Sequence, residues 1–148
     1  MSTYTQILYQ IVFCTKQRAP CLLKEGREDL FKYISGVLKS KNCHLYRING
    51  VEDHIHIVTH LHPTVALSTL VQSIKIASSI YIKESQIFPD FDEWQPGYCA
   101  ITYSNSALNN LIEYVKNQEA HHKKLTSKDE LMIALEEHNI LYDERYFE

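Results

Sequence analysis

The sequence predicts an α+β fold in which a four-stranded antiparallel sheet carries helices on one face. Two observations support this prediction. Segments of period-two hydrophobicity alternate with segments of helical periodicity, and their order along the chain is β-α-β-β-α-β-α. With 148 residues, 45% of them hydrophobic and 22% charged, the chain suits one globular domain over residues 1–148. Glycine and proline number only 4 each, so we expect no long flexible linker.

Period-two patterns predict four strands, at residues 4–15, 43–49, 53–62 and 94–103. In the first strand the apolar face consists of Ile7, Tyr9, Ile11 and Phe13, and Gln6 and Gln10 lie on the opposite face. The second and third strands would form a hairpin that turns at Gly50. The fourth strand is interrupted by Pro96 and Gly97, because proline cannot donate a ladder hydrogen bond.

Four helices are predicted from apolar side chains that recur every three or four residues. The first runs over residues 24–42, and the second follows a cap at Thr64. The third follows a cap at Ser104 or Ser106, and the last, from about residue 127, leads into a charged tail. The first six elements in this order form the split βαβ, or ferredoxin-like, arrangement.

The formal net charge of −3 is unusual for a nucleic-acid-binding protein, because such proteins usually present a basic face. Lysine and arginine nevertheless cluster in three places, Lys16–Arg18, Lys39–Arg47 and Lys116–Lys128, and much of the acid lies in residues 129–148. A basic face with the acidic residues elsewhere would reconcile the total charge with an anionic ligand.

The cysteines and the N-terminus indicate a cytoplasmic protein. Cys14, Cys21, Cys43 and Cys99 form no CxxC pair, which disfavours a zinc ribbon or a redox motif. We find no secretion signal at the N-terminus and no apolar run near the ~20 residues of a membrane span. We therefore expect free thiols in a reducing compartment.

The third predicted strand places four histidines on one face. Strand alternation directs Ile55, Ile57, Thr59 and Leu61 toward the core, and His54, His56, Val58, His60 and His62 to the opposite face. The Cα atoms of His54 and His56 would lie roughly 6.5–7 Å apart, so their imidazoles can converge on one metal ion. The pattern alone leaves two interpretations open, a metal site or a polar strand face in contact with solvent.

The third predicted helix contains Tyr114 and Gln118, which lie one above the other because they are four residues apart. A phenol can attack phosphorus, and an amide oxygen can ligate a hard cation. Because tyrosines at the edge of a helix are common, this helix alone leaves their role open. His121 and His122 are expected at the surface.

Together, these features resemble the single-tyrosine HUH transposases of small insertion sequences, which are related to the REP-associated tyrosine transposases. HUH denotes His, a bulky hydrophobic residue and His, here His54-Ile55-His56. The resemblance covers nearly the whole chain, in the segments YQIVFCTKQR, INGVEDHIHIVTHLHP, WQPGYCAITYS and LIEYVKNQEAHHKK.

The resemblance implies a DNA transposase that cleaves and rejoins hairpin-containing single-stranded DNA through a 5′-phosphotyrosine. Tyr114 would be the nucleophile, carried by a helix C-terminal to the sheet. His54, His56 and Gln118 would bind Mg²⁺ or Mn²⁺. The resemblance also implies a homodimer in which the Tyr114 helix docks against the histidine strand of the partner. Nothing obvious in the sequence ties this helix to its own strand.

Further residues are candidates for supporting roles. Glu52 and Asp53, just before the histidine strand, could supply a carboxylate that supports the ligands from behind. Candidate DNA-backbone contacts are Arg18, Arg47, Lys116, Lys123 and Lys124. Trp94 and Tyr98 are candidates for base stacking, although Trp94 is equally suited to the core.

Two other functions fit parts of the pattern. A metal-dependent hydrolase would use the histidine strand with an activated water and would need no tyrosine. A non-catalytic RNA-binding module can share the same topology, but it places exposed aromatic residues on the sheet face where this chain has histidines.

Overall fold

The strands form one antiparallel sheet in the order β2-β3-β1-β4. The computed structural model describes residues 2–143, so the end of the predicted tail lies outside the described residues. The strands are β1 (Leu8–Cys14), β2 (Leu45–Gly50), β3 (His54–His60) and β4 (Cys99–Tyr103). This is the strand order of the ferredoxin-like arrangement, so the predicted fold class is confirmed.

Five α-helices accompany the sheet in residues 2–143. They are α1 (Lys24–Ser40), α2 (Leu67–Ser85), α3 (Leu108–Lys116), α4 (Gln118–His122) and α5 (Ser127–Glu137). None of the helices in these residues has the length and apolar character needed to cross a membrane.

The face of the sheet under α1 and α2 holds the larger apolar core. Fully buried side chains from the strands and from both helices meet here, among them Ile11, Phe13, Leu30, Ile34, Ile55, Ile57, Leu70 and Ile74. Trp94 belongs to this core, where its indole nitrogen donates a hydrogen bond to the Ser78 hydroxyl at 2.9 Å. The interpretation of Trp94 as a core residue is therefore confirmed.

The opposite face of the sheet is covered as well. Leu111 and Val115 of α3 pack there against Leu8 of β1 and Val58 of β3 in a second, smaller apolar cluster. Strand β3 is consequently buried on both faces, with only His60 partly exposed. The interpretation of its histidine face as a polar surface in solvent is wrong.

Local details differ from the sequence prediction in three places. Strand β4 starts only at Cys99, because Pro96 and the positive φ of Gly97 (89°) end the extended pairing earlier in the segment. Thr64 does not cap α2, since its hydroxyl bonds to His62 Nδ1 at 2.7 Å instead. The hydroxyl of Ser104 bonds to that of Ser106 and caps no helix.

The third predicted helix is divided in two. It ends at Lys116, and Asn117 (φ −96°, ψ 24°) separates it from α4, which begins at Gln118. A positive ψ at one residue tilts the following turn away from the α3 axis. Tyr114 and Gln118 therefore belong to two helical segments, although their side chains still interact, and Gln118 is completely buried.

Candidate metal and tyrosine site

The centre of the site is the pair of histidines on β3. His54 and His56 point to the same side of the sheet, and their ring centroids are 5.0 Å apart. Each side chain is almost completely buried, at 2% and 3% exposure. The spacing expected from strand geometry therefore brings two imidazoles together in a site shielded from water.

Each imidazole is oriented by a neighbour on its Nδ1 side. His54 Nδ1 lies 2.7 Å from Asp53 Oδ1, and His56 Nδ1 lies 3.1 Å from Gln10 Oε1. Both partners accept, so both Nδ1 atoms carry the proton and donate. In the neutral form of each ring, Nε2 is then the unprotonated nitrogen directed into the site, which is the tautomer that a metal ligand requires.

Gln118 reaches the same point from α4. Its Oε1 atom lies 3.3 Å from His54 Nε2, and its side chain is fully buried. Two lone-pair atoms facing each other at this distance repel unless a proton or a cation lies near both. The structure thus brings together the predicted ligands His54, His56 and Gln118.

Glu130 of α5 is the residue that sequence reasoning missed. Its Oε1 atom lies 2.7 Å from His56 Nε2 and 3.5 Å from His54 Nε2. One ligand atom each from His54, His56 and Glu130 lie within 4.8 Å of one another. In the sequence Glu130 is one of many acids near the C-terminus. Its helical face also carries Ala134 and a second acid, Glu137, so no pattern in the sequence singles out Glu130.

The donor set fits a divalent cation. His56 Nε2 is buried and, within residues 2–143, makes no hydrogen bond of acceptable geometry, even though Glu130 Oε1 is close. Two imidazole nitrogens, an amide oxygen and a carboxylate oxygen converge, and none of the four atoms needs to be a donor. Imidazoles combined with a carboxylate form sites for divalent transition metals, and carboxylate and carbonyl oxygens also suit Mg²⁺ and Mn²⁺.

The charged groups of the site shift one another's pKa. Burial opposes the charged form of His54, but the carboxylates of Asp53 and Glu130 outweigh it and raise the pKa of His54 to about 9. Burial lowers the pKa of His56, and the charge of His54 adds to this effect. Burial also opposes the charged form of Glu130, yet the two histidines hold its pKa well below the usual range.

Asp53 links the histidine strand to two other segments. Its Oδ2 atom accepts a hydrogen bond from the Ser127 hydroxyl at 3.0 Å, and that hydroxyl accepts one from Arg18 Nη1 at 2.8 Å. Ser127 is the first residue of α5, so this chain of bonds anchors α5 on the site. Glu52 points elsewhere and pairs with His122 Nε2 at 2.6 Å. Of the two acids that could support the ligands, only Asp53 contacts one of them.

Tyr114 lies at the edge of the site. Its ring centroid is 5.9 Å from that of His56 and 4.7 Å from that of His121, and the residue is only partly buried. It lines a cavity of about 350 Å³ together with His54, His56, Glu130 and the exposed Tyr98. Burial, and then the charge of Glu130, raise the pKa of the Tyr114 phenol well above its usual value.

The Tyr114 helix is fixed to its own strand and sheet. Asn49 of β2 donates a side-chain hydrogen bond to the Lys116 carbonyl at 2.9 Å, at the end of α3. Leu111 and Val115 pack against Val58 of β3. The sequence contains no obvious sign of these contacts, because they join segments that are far apart in the chain.

The basic residues suggested as DNA contacts fall into two groups. Arg47, Lys116, Lys123 and Lys124 are exposed. Arg18 is half-buried and lines the cavity, with its guanidinium on Ser127. His121 and His122, expected at the surface, are partly buried beside Tyr114 and Glu52.

Comparison with known proteins relates this chain to transposases. The family model described as "Transposase IS200 like" matches residues 3–118. The ISDra2 transposase TnpA of Deinococcus radiodurans is 22% identical over 118 residues, which span 76% of this chain and 84% of that protein.

Two solved structures share the fold. A crystal structure of a candidate transposase from Deinococcus radiodurans has a TM-score of 0.64 at 20% identity, covering 80% of this chain and 95% of that one. A REP-associated tyrosine transposase bound to a REP hairpin has a TM-score of 0.60 at 16% identity, covering 82% of this chain and 74% of that one.

Proposed function

The chain belongs to the IS200-like transposase family, and from that premise we propose that it cuts and rejoins hairpin-containing single-stranded DNA through a covalent bond to Tyr114. His54, His56 and Gln118 would hold Mg²⁺ or Mn²⁺ beside the tyrosine. The observation that carries the proposal is the position of Tyr114, which lines the same cavity as the two histidines whose Nε2 lone pairs converge.

The metal site would supply electrophilic assistance. A divalent cation held there would withdraw charge from a non-bridging phosphate oxygen and orient the phosphate for in-line attack. Asp53 and Gln10 fix the ring planes of the two histidines, so little reorganisation is needed when DNA arrives. Burial of both rings excludes bulk water, which strengthens every charge interaction in the site.

Tyr114 would act as the nucleophile. Its Oη–P bond forms while the P–O3′ bond breaks, the phenol loses its proton, and the released strand end takes one up as a 3′-OH. The 5′-phosphate remains on the tyrosine. Burial and the charge of Glu130 raise the pKa of the phenol, so Tyr114 meets the phosphate as a phenol that must give up its proton on attack. A 3′-OH can later attack the phosphotyrosine, so strands are rejoined without a nucleotide cofactor.

DNA would approach over the exposed basic residues Arg47, Lys116, Lys123 and Lys124. Tyr98 would stack on a base, which its 43% exposure at the cavity wall supports. The REP-associated tyrosine transposase of the same fold is bound to a hairpin in its own structure, which supports a hairpin substrate here.

The first experiment looks for the covalent intermediate. Labelled hairpin-bearing single strands are incubated with the protein and Mn²⁺, and the mixture is separated on denaturing gels. We expect label on the protein at Tyr114 by mass mapping, loss of the adduct in Tyr114→Phe, and retention in Tyr33→Phe, since Tyr33 lies on α1 and stacks on Tyr81 of α2. An adduct that persists in Tyr114→Phe would refute the tyrosine assignment, and an adduct that forms in excess chelator would refute the metal dependence.

The same assay separates the alternatives. A metal-dependent hydrolase would still cleave as Tyr114→Phe and would leave no adduct. An RNA-binding module would bind without cleavage in chelator. The RNA-binding alternative is disfavoured by packing, because α3 and α5 cover the sheet face on which bases would stack.

A homodimer with sites shared between subunits remains a prediction. The contacts of Tyr114 and Gln118 with histidines of their own chain support a second arrangement, in which each subunit holds a complete site. Mixing His56→Ala with Tyr114→Phe distinguishes the two. If the sites are shared between subunits, the mixed dimer should cut at one DNA end. If each site lies within one chain, the mixed dimer should not cut. Heterodimer formation is verified separately in both cases.

A further inference from the structure

We propose that Glu130 is a further ligand to the divalent cation, so that α5 completes the metal site of its own chain. This inference rests on the metal site of the proposed function but not on the tyrosine chemistry. Glu130 lies beyond residue 118, where the match to the family model ends.

The position of Glu130 is built into the fold. Helix α5 is capped by Thr126, whose hydroxyl accepts from the Asp129 backbone N–H at 3.1 Å. Its first residue, Ser127, donates to Asp53, the same carboxylate that orients His54. Because residues three apart on a helix share a face, this anchor directs Glu130 at the two histidines.

The distances place the carboxylate among the other ligand atoms. Glu130 Oε1 is 2.7 Å from His56 Nε2 and 3.5 Å from His54 Nε2, and the residue is 7% exposed. His56 Nε2 nevertheless lacks a hydrogen bond of acceptable geometry among the described residues. One ligand atom from each of the three residues lies within 4.8 Å of the others, so a single cation can contact all three.

The chemistry of the site favours a carboxylate at this point. Two neutral imidazoles and an amide bring no negative charge, and Mg²⁺ in proteins is usually bound through one or two carboxylates. A buried carboxylate is costly unless a positive charge compensates it. A bound cation compensates Glu130 and leaves both histidines neutral, which is the state in which they ligate.

The alternative role of Glu130 is that of an ion-pair partner to a protonated histidine. The two roles predict opposite changes in metal affinity. If Glu130 is a ligand, its loss weakens metal binding. If Glu130 is an ion-pair partner, it stabilises a proton on a histidine that competes with the metal, so its loss strengthens metal binding.

The test measures Mn²⁺ binding to the full chain without DNA, by isothermal titration calorimetry and by loss of the free Mn²⁺ signal in electron paramagnetic resonance. We expect Glu130→Gln to raise the Kd for Mn²⁺ at least about 10-fold. Loss of a residue that only supports a metal ligand already weakens metal binding by about this factor. Glu137→Gln, the same change at an exposed position of α5, should leave the Kd unchanged. The Kd of Glu130→Asp should lie between that of Glu130→Gln and that of the unaltered chain. This variant replaces Glu130→Gln in the test if Glu130→Gln does not fold.

His56→Ala separates the two proposals. If His56→Ala weakens Mn²⁺ binding and Glu130→Gln leaves it unchanged or tighter, Glu130 is not a ligand and the metal site of the proposed function stands. If His56→Ala has no effect on binding, the metal site itself is wrong. If Glu130→Gln weakens binding while no DNA adduct forms, the role of Glu130 holds and the tyrosine chemistry fails.

Discussion

The two faces of β3 are equally buried but differ in what burial achieves. Ile55 and Ile57 are fully buried under α1 and α2, where the apolar surface removed from water stabilises the fold. His54 and His56 are nearly as buried on the other face, where each polar atom needs a partner. The apolar face of β3 thus stabilises the fold, and the histidine face positions polar and charged groups in a defined geometry.

This comparison teaches that burial alone does not identify a core position. On the apolar face, a side chain can be exchanged for another of similar volume at small cost. On the histidine face, partners from three separate segments fix the ring orientation, and an isosteric change would leave them unpaired. Substitutions on the two faces should therefore separate loss of activity from loss of stability.

The largest effect is expected for His56→Ala. Removing one of the converging Nε2 ligands should reduce DNA cleavage by at least about 10⁴-fold, as the loss of a central catalytic group does elsewhere. The fold should survive, because the apolar face of β3 is untouched. Rates are measured under single-turnover conditions with circular dichroism as the control for folding, and cleavage within tenfold of the unaltered chain would contradict the role of His56.

The matching change on the other face is Ile57→Ala. Deleting this fully buried side chain should lower the free energy of unfolding by about 2–5 kcal/mol, through lost burial and the cavity left behind. Cleavage per folded molecule should change little at a temperature where the variant is folded. Urea denaturation measures the first quantity, and a normal midpoint with impaired cleavage would reverse the assignment of the two faces.

The pH dependence of the free energy of unfolding should reveal the raised pKa of His54. In excess chelator, its pKa is about 9 in the folded protein against 6.5 unfolded, so its stabilising contribution is fully present below pH 6.5. The free energy of unfolding should then fall as pH rises from 6.5 through 9, by no more than about 3 kcal/mol. His62→Gln, outside the site, should keep this slope, whereas His54→Ala should remove it. A flat or rising profile in the unaltered chain would show that Asp53 and Glu130 do not favour protonated His54.

A smaller effect is expected for Asp53→Asn. The amide keeps the shape of the side chain but can turn an N–H toward His54 Nδ1, which allows the unproductive tautomer. Metal affinity should fall about 10- to 100-fold with the site still assembled. Calorimetric titration with Mn²⁺ measures the change. Glu52→Gln is the matched control, because Glu52 pairs with His122 and touches no ligand, and an equal loss in both variants would argue for a general charge effect.

The sequence predicted the order of the elements, because alternation and helical periodicity are local properties of each segment. It also placed His54 and His56 on one strand face and named Gln118 and Tyr114, the last two through resemblance. The sequence did not predict contacts between residues that are far apart in the chain. Periodicity marks which face of a strand is polar, but it does not say what covers that face.

Tertiary structure decided the rest of the site. Gln10 was expected on a polar strand face and instead orients His56, because β1 lies beside β3. Gln118 follows a break at Asn117 and is fully buried, which the helical pattern of the sequence does not predict. Glu130, one of many acids near the C-terminus, reaches the histidines only because Ser127 anchors α5 to Asp53. Residue type and spacing determined which groups can bind a cation, and contacts between segments far apart in sequence decided which of them meet, since only the folded chain brings their atoms within bonding distance.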